Sequence, residues 1–183
     1  MVATLRPMGT ADGECLAASL GERLAALTFT DLDTGQVTAG LIEATAAWAA
    51  DHGWRVYRRA PSVLSLPPPM DRQRSVLDVA CARPDGPPIA IEVDHTDRRR
   101  TVEKLLAEAA TGRVPLWVRW GTGRFAAPPA PIHLVTFEVT RRKGFPGRYA
   151  RVLSVDRPPP PHSTDRVGTA TLLALPLDPP QAV

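Results

Sequence analysis

Leu16, Leu20, Leu24 and Leu27 recur at helical spacing, which predicts a first helix over 14–27 with Gly21 as its weak point. TFTDLDTG (28–35) is rich in turn formers and reads as a connector. Thr38 is the expected cap of a second helix, TAGLIEATAAWAADHG, with Leu41, Ile42, Thr45, Trp48 and Ala49 as its stripe and Gly53 as its stop. WRVYRR (54–59) alternates as a strand does, and the proline-rich SVLSLPPPMDRQR is expected to return the chain as a loop. SVLDVACA and IAIEVD are short apolar runs joined by RPDGPP, a strong turn signal, so they pair as an antiparallel hairpin. A helix over 97–111 follows, with Val102, Leu105, Leu106 and Ala109 as its apolar face and Gly112 at its end. VPLWVRW (114–120) is a further strand. The order is helix, strand, strand, strand, helix, strand.

Beyond GTGRFAAPPAP the pattern changes. IHLVTFEVT (132–140) and RYARVLSVD (148–156) form a hairpin around the basic RRKGFPG, and the proline clusters at 158–161 and 176–180 predict an irregular tail. The expected division is an N-terminal helix and connector (1–37), a core (38–122), and C-terminal strands with the proline-rich tail (123–183). A chain of 183 residues suits one domain or one domain with an appendage, and 44% hydrophobic residues exclude wholesale disorder. No apolar run is long enough to span a membrane, and the N-terminus lacks the apolar centre of a secretory signal. Cys15 and Cys81 fit reduced thiols. Together these predict a cytoplasmic protein without a membrane partner.

Charge adds little in total, at +3, but the pI is about 9.3 and Lys104 and Lys143 are the only lysines. Arginine enrichment beside many alanines and prolines is what a GC-rich coding sequence produces. Arginine forks also suit phosphate, and a pI above 9 points weakly to nucleic acid.

The informative anomaly is acidic. Buried strands rarely carry carboxylates, because an unpaired one costs several kcal/mol or is forced to protonate. Here Glu92 and Asp94 share one face of IAIEVD, with Ile89, Ile91 and Val93 on the other, and Asp78 sits on the partner strand. If the register sets Asp78 opposite Glu92, the repulsion calls for a compensating cation. Oxygen ligands suit Mg²⁺ or Mn²⁺, which keep places for water and phosphate oxygens. The alternative is a set of solvated acids paired with neighbouring arginines.

This arrangement, with Asp78 on the second strand and Glu-Val-Asp (92–94) on the third, resembles the PD-(D/E)XK nuclease superfamily, the restriction-endonuclease-like fold, over residues 38–120. The resemblance implies an α/β protein: a restriction-endonuclease-like α-β-β-β-α-β core whose mixed sheet is flanked by helices, followed by the C-terminal β-hairpin and tail. It implies Asp78 and Glu92 as Mg²⁺ ligands, joined by Glu43 of the preceding helix, and DNA as the substrate. Superfamily members often pair, so a homodimer is an option.

The sequence departs from the pattern at two positions. Leu77 replaces the nominal proline. Asp94 stands where a lysine is expected two residues after the Glu, although relatives similar to very-short-patch-repair endonucleases also carry an acid there, followed by a histidine as His95 is here. Superfamily members can carry the lysine on the next helix, which makes Lys104 the expected transferred cation. The alternative for Lys104 is a surface ladder with Arg100 and Glu108; Glu103 and Glu108 are expected at the surface. Asp78, Glu92, Asp94 and Lys104 are thus the candidate catalytic residues. Arg98, Arg99, Arg100 and His95 are the candidate phosphate contacts, because cations at a helix start oppose its dipole and suggest another duty. Two further functions stay open: a catalytically inactive protein of the same fold, binding nucleic acid or protein as an accessory of a mobile-element, repair or defence system, and a small assembly protein that docks through its proline-rich tail.

Overall fold

A computed structural model describes residues 8–152; the predicted end of the last strand and the proline-rich tail lie outside the described residues. Helix α1 (Met8–Ala25) is followed by β1 (Phe29–Asp33), α2 (Thr34–Asp51), β2 (Arg55–Ser65), β3 (Arg74–Ala82), β4 (Ile89–Asp94), α3 (Arg99–Ala110), β5 (Val114–Gly121), β6 (His133–Glu138), β7 (Thr140–Arg141) and β8 (Arg148–Arg151). The protein is α/β. A five-stranded sheet has the order β2-β3-β4-β5-β6, antiparallel from β2 to β4 and parallel from β4 to β6. A smaller antiparallel sheet, β1-β8-β7, joins the N-terminal part of the chain to a short β7–β8 hairpin; the hairpin expected between 132–140 and 148–156 does not form as such, because most of 132–140 is β6, which pairs in parallel with β5.

The two faces of the large sheet are sorted by side-chain alternation. Ile89, Ile91 and Val93 of β4 and Leu116, Val118 and Trp120 of β5 pack with Leu16, Leu20, Leu24, Val37, Leu41 and Trp48 of α1 and α2. Ala90 and Trp117 face the other way and pack with Leu105 of α3. Both faces of β4 and β5 are therefore covered, as the near-continuous apolar runs of central strands require.

Local chemistry sets the helix ends. Asp33, in extended backbone, caps α2: Gln36 N–H donates to Asp33 Oδ1 at 2.8 Å, and Asp33 N–H donates to Gln36 Oε1 at 3.0 Å. The cap is thus Asp33 and not Thr38, and TFTDLDTG holds strand β1 in place of a connector. Thr38 lies a turn inside α2, donating to Thr34 O at 2.9 Å and accepting from Trp120 Nε1 at 3.1 Å. At the other end Trp54 N–H reaches Ala49 O and Gly53 N–H reaches Ala50 O, the paired bonds that a glycine at φ +74° allows.

Strand β2 runs on through SVLS, expected as loop, because β3 pairs with it as far as Ser65↔Arg74. It is a sheet edge, and Arg59 at φ +52°, Pro61 and a register shift between Pro61 and Ser65 blunt it against pairing with other chains. The buried face of α3 is also rotated from the expected one. Thr101, Lys104, Leu105 and Glu108 are buried, while Val102 and Leu106 are only partly so. Three of those four buried residues are polar, so an apolar count could not find this face.

Candidate functional site

The sheet opens at Asp78. The β3–β4 pairs run Cys81↔Ile89, Ala80↔Ala90 and Val79↔Ile91, and one further step sets Asp78 opposite Glu92. There the side chains take over from the ladder: Val93 N–H donates to Asp78 Oδ2 at 2.9 Å, and Asp78 N–H donates to Glu92 Oε1 at 3.3 Å. On the β2 side, Arg58 pairs with Val79 and Ala60 with Leu77, which leaves Asp78 between those pairs.

Glu92 is 5% exposed, and Lys104 Nζ of α3 lies 2.8 Å from its Oε2. The same ammonium donates to Val76 O at 2.6 Å. Lys104 is therefore no member of a surface ladder: the turn of α3 that carries it faces the sheet, and its charge is matched by Glu92. Burial pushes the Glu92 carboxyl up to about 7; the Lys104 ammonium pulls against that, while Asp78 and Asp94 reinforce it. Burial also raises the pKa of Asp78; the Val93 N–H opposes that rise.

Asp94, also buried, is fully engaged. Its Oδ2 accepts from Thr101 Oγ1 at 2.8 Å and Trp117 Nε1 at 3.0 Å, and Arg98 Nε stands 3.5 Å from Oδ1. These bonds tie the end of β4 to β5 and to the start of α3. On β5 the buried Arg119 pairs with Asp97 and lies over the Trp117 ring at 4.7 Å.

A cavity of about 600 Å³ opens on this fork. Asp78, Glu92, Asp94, His95, Arg98, Arg100 and Lys104 all line it. Its wall also includes Thr34 and Thr38 of α2, Thr101 of α3, and Leu66–Pro67 after β2, where Arg100 Nη2 donates to Ser65 O. His95 lies against Trp120 with ring centroids 4.3 Å apart, and its Nε2 is 3.3 Å from the Tyr149 hydroxyl. Desolvation lowers its pKa, and the charges of Arg141 and Arg119 lower it further.

Two predicted residues stand elsewhere. Glu43 is on the exposed side of α2, in a two-pronged pair with Arg58 (2.6 and 3.0 Å), and does not line the cavity. Its partner comes from the edge strand β2 and not from β3 or β4, which carry Asp78 and Glu92. Arg99 is almost fully exposed and pairs with Glu103 at 2.9 Å. Glu108, expected at the surface, is completely buried: it accepts from Ser62 Oγ at 2.5 Å and Val63 N–H at 2.8 Å, and pairs with Arg113. It pins the shifted stretch of β2 to α3. Of these partners only Arg113 is local; Ser62 and Val63, which bury the carboxylate against β2, are more than 40 residues away in the chain.

Asp78 and Glu92 present hard oxygens from opposed strands, and Asp78 Oδ1 accepts no hydrogen bond from a described residue. Two carboxylates completed by water are a donor set that magnesium takes. The set with Glu43 as a third ligand does not form, and among the described residues no group of three His, Cys, Asp or Glu side chains is placed to hold an ion. The chain matches no protein-family model, no curated protein and no solved structure. No helix among the described residues is long and apolar enough to cross a membrane.

Proposed function

We propose that the protein is a metal-dependent nuclease with a restriction-endonuclease-like core, hydrolysing phosphodiester bonds in DNA. One observation carries this reading: two opposed strand carboxylates, a helix-borne lysine and two helix-start arginines line a single cavity at the fork of β3 and β4. Asp78 and Glu92 are the residues that would hold Mg²⁺ or Mn²⁺. Bound there, the ion would polarise the phosphodiester and lower the pKa of an attacking water. Lys104 brings its ammonium to the carboxylates from α3, supplying the cation that the strand lacks at Asp94. Asp94 itself is a positioning residue, since its oxygens are spent on Thr101, Trp117 and Arg98. Arg98, Arg100 and His95 are placed to meet phosphate oxygens.

The test is incubation of the purified protein with plasmid and single-stranded DNA in Mg²⁺, Mn²⁺ or EDTA. Cleavage in either metal, absent in EDTA and lost in Glu92→Gln and Asp78→Asn, is the expected result. Cutting that survives both substitutions would remove the site from the reaction.

A second reading has one observation in its favour. Lys104 already supplies Glu92 with a countercharge at 2.8 Å, so the acids need no metal to coexist. On that reading the protein is an inactive member of the same fold, binding nucleic acid or a protein partner. It predicts no cleavage and no rise in melting temperature with Mg²⁺.

A further inference from the structure

The nuclease reading uses the cations at the start of α3 and leaves a second basic group unused. Arg141 ends β7, and Arg142 and Lys143 begin the turn to β8, with Phe145 half exposed beside them. These residues are not equivalent. Arg142 is committed to the fold: it pairs with Asp31 at 2.8 Å and lies over the Phe145 ring at 4.5 Å. Arg141 and Lys143 are exposed and form no ion pair with a described residue.

The hairpin is fixed against the site. Tyr149 of β8 is 4% exposed, meets the Trp120 ring edge-on at 5.2 Å, and sets its hydroxyl 3.3 Å from His95 Nε2. Arg141 is the residue directly opposite Tyr149 in the β7–β8 register. Opposed residues of an antiparallel pair project to the same face, so Arg141 rises from the face that meets His95. The depressed pKa of His95, to which Arg141 contributes, agrees with that proximity. Cations therefore flank the site on two sides: Arg98 and Arg100 line the cavity at the start of α3, and Arg141 stands near His95 from the hairpin, with Lys143 two residues further along the chain. A ligand with one phosphate could engage only one side. A chain of phosphates could engage both.

We propose that the β7–β8 hairpin is a backbone-gripping arm, with Arg141 and Lys143 as its phosphate contacts for a nucleic-acid strand whose neighbouring phosphates lie at Arg98 and Arg100. The arm acts by charge without reading bases, because its contacts are flexible exposed cations on a turn. This rests on the nuclease reading for the identity of the ligand but is separable from it in the laboratory.

The experiment is fluorescence anisotropy with a labelled DNA duplex of about 30 base pairs, in EDTA so that cleavage plays no part, across a salt series. R141E/K143E should bind roughly tenfold or more weakly, and the slope of log K against log salt should fall by about 2, one step per lost phosphate contact. R23E/R55E makes the same charge change at residues that belong to neither the cavity nor the β7–β8 hairpin, and should bind as the wild type does. Melting temperatures of all three proteins confirm that each is folded. Equal affinity and slope in R141E/K143E and wild type would overturn the arm, as would equal weakening by both double variants, or a wild-type protein that does not bind the duplex at low salt. Wild-type binding that depends on the arm, in a protein that never cuts DNA, would uphold the arm while refuting the nuclease.

Discussion

Lys104→Met keeps the aliphatic stem of the side chain but removes the charge that faces Glu92. In the wild type, the Glu92 carboxyl is raised from an ordinary 4.5 to about 7. Between those values the folded chain holds a proton that the unfolded chain has released. Stability therefore falls as pH rises through that window, by about 3 kcal/mol in all. Removing the ammonium leaves Glu92, at 5% exposure, with less compensation. Losing one partner of a buried pair costs about 3–5 kcal/mol when the survivor stays charged. The survivor escapes most of that cost by protonating, so the loss depends on pH. At pH 5 Glu92 is protonated in both folded proteins, and the variant should lose only about 1 kcal/mol for the unpaired Val76 carbonyl. At pH 8 the gap should widen towards the full cost of the broken pair. Urea denaturation followed by tryptophan fluorescence at four pH values reads this directly, since Trp117 and Trp120 are buried on β5. Glu92→Gln should flatten the wild-type decline between pH 5 and pH 7. A gap between Lys104→Met and wild type that is the same at every pH would refute the pairing of Lys104 with Glu92.

Other expectations follow from the same geometry. Glu108→Ala should destabilise the protein by about 3–5 kcal/mol, because Arg113, Ser62 and the Val63 N–H lose a fully buried partner together; urea midpoints measure it. Glu43→Ala should leave Mg²⁺-dependent cleavage within about twofold of wild type, since the residue lies off the cavity; a larger loss in the plasmid assay would restore it to the metal site. Mg²⁺ should raise the melting temperature of the wild type and leave that of Asp78→Asn unchanged, since only a site that binds the ion in the folded state gains stability from it.

The elements with strong periodicity were legible because their signals are local. The leucine spacing of α1, the glycines after α2 and α3, and the alternation along β4 depend on neighbours within a turn or a pleat. The capping box Asp33-Thr-Gly-Gln36 was equally local, and its D-x-x-Q signature marks the start of α2 more sharply than Thr38 does. Strand β1 was hidden because its pairing partner, β8, is more than 100 residues away in the chain. Separation of 45 and 46 residues hid Glu108 in the same way: a glutamate on a helix reads as solvent-facing until Val63 and Ser62 are brought to it.

By itself, the sequence determined which residues are out of place in a buried strand, and so it singled out Asp78, Glu92 and Asp94. Their number exceeds what an interior tolerates without compensation, and that is a property of composition and alternation. Only the tertiary structure decided what compensates each one. It gave Lys104 to Glu92, assigned Thr101 and Trp117 to Asp94, and left Asp78, with Oδ1 accepting no hydrogen bond from a described residue, on the cavity wall. It also sent Glu43 to the surface. Those assignments turn on the rotation of α3 and the register of β3 against β4, which are set by how whole faces fit together and leave no trace in any short stretch of chain.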